Sequence, residues 1–84
     1  MRSFLTTPIF DKTLSKLDSA IQKQILKKMQ KIVEMPELGK PLHASLANHF
    51  SERVWKYRII YTFTPERVCF VYLGHRDVVY RNPL

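Results

Sequence analysis

Three arginines and a tyrosine are the side chains whose types and placing could do chemistry together: Arg53, Arg58, Arg76 and Tyr80. They lie in the most apolar and aromatic part of the chain, Arg53-Val-Trp-Lys-Tyr-Arg58-Ile-Ile-Tyr61 and Val68-Cys-Phe-Val-Tyr-Leu-Gly-His75-Arg76, or just after it. Arginine is almost never fully buried without a partner, so strands that carry several must have one face that is not core. Arginine stays protonated at any working pH and cannot act as a base. It can hold phosphate oxygens in two-pronged hydrogen bonds and stabilise charge that develops in a transition state. Arginines with a tyrosine therefore suggest recognition of a phosphodiester, and its cleavage. The same residues also allow a plainer arrangement, in which Arg53 and Arg58 pair with Glu52 or Glu66, or snorkel across a sheet edge.

Alternation decides which side chains share a face. In residues 57–64, Tyr57, Ile59, Tyr61 and Phe63 form one set. Arg58, Ile60, Thr62 and Thr64 form the other, which is more polar and is expected to be the open face. In residues 50–55, Ser51, Arg53 and Trp55 oppose Phe50, Glu52 and Val54; Arg76, Val78 and Tyr80 share a face if that backbone is extended. Parity alone does not say whether these faces look to the same side.

Other chemistries have less support. His43, His49 and His75 are scattered and Cys69 stands alone, without metal-ligand spacing. The seven acids do not cluster as a Mg²⁺ site requires. Two glycines cannot make a phosphate-cradling loop. Cys69, between Val68 and Phe70, reads as packing. His75 neighbours Arg76, and an imidazole is a side chain suited to proton transfer. Strict alternation puts it opposite Arg58 unless Gly74 breaks the pattern. Lys23, Lys27 and Lys31 recur at steps of four; they read as a solvated helix face that can add to attraction for a large polyanion.

The elements that must position these groups follow from local signals. Residues 3–7 form a short strand, at an edge or in the centre of a sheet. Thr7-Pro8 starts a helix, with a hydroxyl at the N-cap and proline at the first helical position. Its stripe is Phe10, Leu14 and Leu17. Asp18 caps a second, longer helix with the stripe Ile21, Ile25, Met29, Ile32 and Val33, ended near Met35 by Pro36. Residues 36–48 connect to the strands, with Leu42 and Leu46 tucking under the sheet. Strands follow at 50–55, 57–64 and 68–73, with turns at Lys56 and Pro65-Glu66-Arg67. Gly74 is expected to allow a bend, and residues 76–80 form a last extended piece. The expected class is α+β: an N-terminal strand, an antiparallel two-helix hairpin, then an antiparallel β-meander.

The 84 residues make one domain, 1–84, with a thin core. A net charge of +7, from 14 basic against 7 acidic side chains, points to a polyanionic partner. A single cysteine, no apolar run near the ~18 residues of a membrane span and no signal-like N-terminus read as a cytoplasmic protein without a membrane partner.

In order and spacing, Gly39-Lys-Pro-Leu42, Phe50-Ser-Glu-Arg-Val-Trp55, Tyr57-Arg-Ile-Ile-Tyr61, Leu73-Gly-His-Arg76 and Val79-Tyr80 resemble the RelE/ParE superfamily of toxin–antitoxin toxins. The resemblance covers nearly the whole chain. It implies a RelE-like fold with a concave basic face and a small, acidic cognate antitoxin that wraps the toxin. For the RelE branch it implies a ribosome-dependent endoribonuclease that cuts mRNA without metal or cofactor, by attack of the ribose 2′-hydroxyl to leave a 2′,3′-cyclic phosphate. Carried over by position, Arg58 and Arg76 would hold the scissile phosphate or stabilise the leaving oxygen. Tyr80 would stack on a base or help activate the nucleophile. Arg53 matches a basic position on the preceding strand, and Ser51 falls where some members carry a lysine. Arg53, Lys56, His75, Lys23 and Lys27 are the expected RNA contacts. The ParE branch implies instead a binding protein that poisons DNA gyrase, and an inactive antitoxin-binding relative is a third possibility.

Overall fold

The threonine at the first chain reversal does two jobs. Thr7 Oγ1 accepts from the Phe10 backbone N–H at 3.1 Å, capping the first helix, and donates to the Val71 carbonyl at 2.7 Å. The helical layer is thereby pinned to the sheet where it begins. In this computed structural model, residues 2–43 and 46–75 are described. The elements are β1 (Ser3–Thr6), α1 (Pro8–Lys16), α2 (Ser19–Glu34), a 3-10 turn (Pro36–Leu38), β2 (Lys40–Pro41), β3 (Phe50–Val54), β4 (Tyr57–Phe63) and β5 (Arg67–His75). The expected caps are present. Pro8 opens α1, and Asp18 Oδ1 accepts from the Ile21 N–H at 3.0 Å to open α2. The Gln22 side chain donates to the Leu14 carbonyl at 2.8 Å, tying the two helices together. At the other end of α2, Arg2 Nη1 donates to the carbonyls of Val33 and Glu34 at 3.3 and 3.2 Å. These are orphan acceptors that a cation suits. No helix of the described residues is long and apolar enough to cross a membrane.

The sheet order is β1-β5-β4-β3-β2. All neighbours are antiparallel except β1, which lies parallel to β5 at the edge. A parallel pair needs a long crossover, and the two helices supply it. The architecture is thus the expected α+β one, with two differences. Lys40–Pro41, read as part of a connection, pairs with Phe50–Ser51 as a fifth strand. Gly74 does not bend the chain: β5 runs through it, with Arg58 opposite Gly74 and Tyr57 opposite His75. The irregularity lies at Val71, where the register steps from Ile60↔Tyr72 to Tyr61↔Phe70 and leaves one β5 residue unmatched. A bulge needs an extra residue rather than a glycine.

Both helices cover one face. Phe10, Ile25, Ile32, Ile59, Tyr61, Val68 and Phe70 are almost wholly buried there. On the other face Leu42 and Leu46 pack over Ile60 and Tyr72 as a small second cluster. The expectation that these leucines tuck under the sheet holds, and they bury Ile60, a member of the polar parity set.

Tyr61 links the layers. Its hydroxyl donates to the Pro36 carbonyl at 2.6 Å. Gly39 passes so close that a Cβ there would overlap the Tyr61 hydroxyl and stand 2.9 Å from its ring carbon Cζ and 3.2 Å from the Ser51 carbonyl. Gly39→Ala should therefore cost about 1–3 kcal/mol, the range for overpacking a filled site. Adding Tyr61→Phe removes the hydroxyl that the new methyl strikes. Thermal melts should show the double variant losing less than the two single losses added together; simple additivity would show that the two residues do not clash.

Candidate functional site: an arginine face on the sheet

β4 must bury Tyr57, Ile59, Tyr61 and Phe63 against the helices, so Arg58 is forced to the opposite side. The β3 register settles what parity left open. Arg53 lies directly across from Arg58, and Ser51 across from Ile60. Directly opposed residues point the same way, with Cβ atoms about 4.5–5.5 Å apart, and like charges so placed are destabilising. The same register puts Lys40 beside Ser51, while alternation from the buried Val68 puts Arg67 on this side too. Lys40, Arg53, Arg58 and Arg67 thus share a face on which the described strand residues carry no carboxylate.

The plainer arrangement fails for Glu52. It alternates to the helix side, where its carboxylate lies 3.8 Å from Lys28 Nζ. Glu66 precedes β5, while Arg58 pairs with Gly74 near that strand's end, some 7 residues or roughly 23 Å along. Arg53 is exposed, and its Nε donates to the Trp55 carbonyl at 3.2 Å, leaning over the β3–β4 turn.

The remaining expected contacts are dispersed. Lys56 lies in that turn, with Nζ 4.9 Å from the Trp55 ring centroid. His75 is exposed but faces away from Arg58, its ring edge-on to Tyr57 at 6.1 Å. Alternation runs unbroken through Gly74, so the way for His75 to join the arginines is closed. Lys23 and Lys27 are exposed on α2, in the layer on the far side of the sheet. Arg76 and Tyr80 lie outside the described residues. Sequence reasoning missed Lys40 and Arg67. Strand β2 is too short to show a period, and Arg67 was assigned to the turn although it extends the alternation of Val68 and Cys69, on the side of Cys69.

Tyr61 is not placed to serve as the base. Burial, then the negative charge of Glu52, pushes the Tyr61 phenol up to about 12, against a small opposing effect of the Gly39 backbone N–H. It sits under the 3-10 turn on the helix side.

Residues 5–80 match the family model described as ParE toxin of type II toxin–antitoxin system. Among solved structures, the chain is similar to the toxin–antitoxin complex RelBE2 from Mycobacterium tuberculosis, at 28% identity over 89% of this chain and 91% of that one, with a TM-score of 0.79. It is also similar to a YoeB/ParE toxin from Agrobacterium tumefaciens (16% identity, 89% and 98% covered, TM-score 0.76). The intact RelBE toxin–antitoxin complex of E. coli shares the fold at 21% identity, 89% and 96% coverage and a TM-score of 0.75. No curated protein matches the sequence.

The raised phenol gives a pH test. The folded state holds the Tyr61 proton up to about 12, whereas an unfolded tyrosine releases it near 10. Stability from this group is whole below pH ~10 and is lost as pH rises towards ~12, because the unfolded state then binds fewer protons. Urea titrations across this range should show that loss, and Tyr61→Phe should flatten it. An equal decline in the phenylalanine variant would place the alkaline sensitivity elsewhere.

Proposed function

The chain belongs to the ParE toxin family of type II toxin–antitoxin systems, and from that footing we propose that it is a ribosome-dependent mRNA endoribonuclease that halts translation. The observation that carries the reading is the directly opposed pair Arg53 and Arg58 on a face where the described strand residues carry no carboxylate. Guanidiniums that project from one face can each hold phosphate oxygens in two-pronged hydrogen bonds.

In the proposed reaction the 2′-oxygen of a ribose attacks the adjacent phosphorus, and the bond to the 5′-oxygen of the next nucleotide breaks. The 2′-hydroxyl gives up its proton to a base, and the departing 5′-oxygen takes one up. The products are a 2′,3′-cyclic phosphate and a 5′-hydroxyl. Arg58 and Arg76 hold the non-bridging oxygens and stabilise the charge that gathers on them and on the leaving oxygen. Arg53 secures the strand. Tyr80 stacks on a base or helps activate the nucleophile. Lys56 and His75 contact RNA at the rim, while Lys23 and Lys27, across the sheet, contribute long-range attraction to the ribosome. The groups of this chain do this work without a metal or cofactor. Its regulator is a small acidic antitoxin that covers the arginine face; the toxin–antitoxin complexes among the similar structures support such a partner. The setting is the cytoplasm, where ribosome and mRNA are found.

A second reading, poisoning of DNA gyrase, is favoured by the family model, which is described by ParE. The fold hosts both functions, so the site must decide. Brief induction without antitoxin, followed by mapping of mRNA 5′ ends, separates them. The ribonuclease reading expects new 5′ ends within coding regions and prompt translation arrest. DNA breaks with translation intact would overturn it in favour of gyrase. Arg58→Ala should lower cleavage by about 10²–10³-fold, the usual loss on removing one transition-state donor, with the melting transition kept.

A further inference from the structure

The turn between β3 and β4 is built against its own residue preference. Trp55 takes φ 55°, one of two described non-glycine residues with positive φ. For a bulky side chain that region is a genuine outlier, and such strain tends to gather at ligand contacts. The strain does not serve burial, because Trp55 is 55% exposed. Instead the conformation holds an indole out at the tip of a tight turn. Lys56 Nζ lies 4.9 Å from its ring centroid, Tyr57 is 6.4 Å away, and His75 is 6.1 Å beyond Tyr57.

This aromatic cluster lies at the tip of the hairpin, round the sheet's end from the arginine face, because Tyr57 and His75 alternate to the helix side. The register places the row Val54–Tyr57–His75 next to the row Arg53–Arg58–Gly74, one residue, or about 3.3 Å, along the strands. Arg53 joins the two directly through its hydrogen bond to the Trp55 carbonyl. Cations that hold a backbone, followed at once by an exposed ring with an ammonium beside it, make the pattern by which proteins grip single strands: phosphates on the cations and bases on the rings. The charge here suits a polyanion that carries flat rings.

We propose that Trp55, with Lys56, is a nucleobase-stacking platform that positions single-stranded RNA whose phosphates lie on Arg53 and Arg58. This rests on the nucleic-acid reading of the arginine face and adds a residue to it. Trp55 is a positioning residue and takes no part in bond making.

Trp55 is the single tryptophan of the chain, so emission excited selectively from tryptophan, apart from the four tyrosines, reports this site alone. The purified protein is titrated at low salt with a short single-stranded RNA and with an abasic oligomer of the same length. RNA should quench the emission, and the abasic oligomer should leave it unchanged. Trp55→Gly adopts the positive φ without strain, and Trp55→Asn tolerates it. Both should melt no lower than the parent and bind labelled RNA about tenfold more weakly by anisotropy, with Trp55→Phe in between. Equal quenching by both oligomers, or unchanged RNA affinity in the folded glycine and asparagine variants, overturns the proposal. So does unchanged RNA affinity in variants that lose an acidic protein partner. Trp55-dependent binding by a protein that does not cut mRNA upholds the platform and removes the nuclease reading. Cleavage with Trp55 silent removes the platform alone.

Discussion

A seven-residue strand has to satisfy two solvents at once. β4 buries Ile59 and Tyr61 completely on one side and carries Arg58 on the other. The period of two leaves no freedom: once the apolar set is against the helices, the arginine is fixed opposite, and a slip by one residue would bury the guanidinium. The rest of the molecule serves that division. α1 and α2 cover one face with Phe10, Ile25 and Ile32. The segment with Leu42 and Leu46 covers the apolar remainder of the other at Ile60 and Tyr72. On that face β3 and β4 also carry the cross-strand pair Arg53 and Arg58, the first exposed and the second half-buried. Two cations set directly opposite across a ladder are an arrangement that the rest of the sheet has to sustain.

Much of this was legible because it depends on short-range rules. Thr7-Pro8 and Asp18 announce both helix starts, since capping needs only one side-chain acceptor within three residues. The face of Arg58 follows from alternation with Tyr57, Ile59 and Tyr61. Hidden from the sequence was whatever depends on pairing. That Arg53 stands across from Arg58 is a statement of register, and that Lys23 and Lys27 lie beyond the sheet is a statement of layering. The bulge at Val71 was misplaced to Gly74, since a bulge reflects the count of residues between two hydrogen-bonded ends. Trp55 was counted as a strand residue because nothing local marks a tryptophan as willing to take positive φ.

Similarity to known toxins fixes the architecture more firmly than the activity. Structures under a quarter identical share the scaffold with TM-scores of 0.75 and 0.76. Such a scaffold can carry nucleases and binding proteins alike. The distinction rests on a few side chains of one face, and on that face the described strand residues offer cations and no carboxylate. Such a surface can grip and polarise a phosphodiester. It holds no base among its arginines.

The central claim is that Arg53 and Arg58 each hold a phosphate. The most direct measurement is the salt dependence of single-stranded RNA binding by the parent, each alanine variant and the double variant. Each phosphate contact on a single strand contributes about 0.7 to the slope of log affinity against log salt. The account predicts slopes smaller by about 0.7 for either single variant and about 1.4 for the double. Slopes equal to the parent's, with the fold intact, would contradict it.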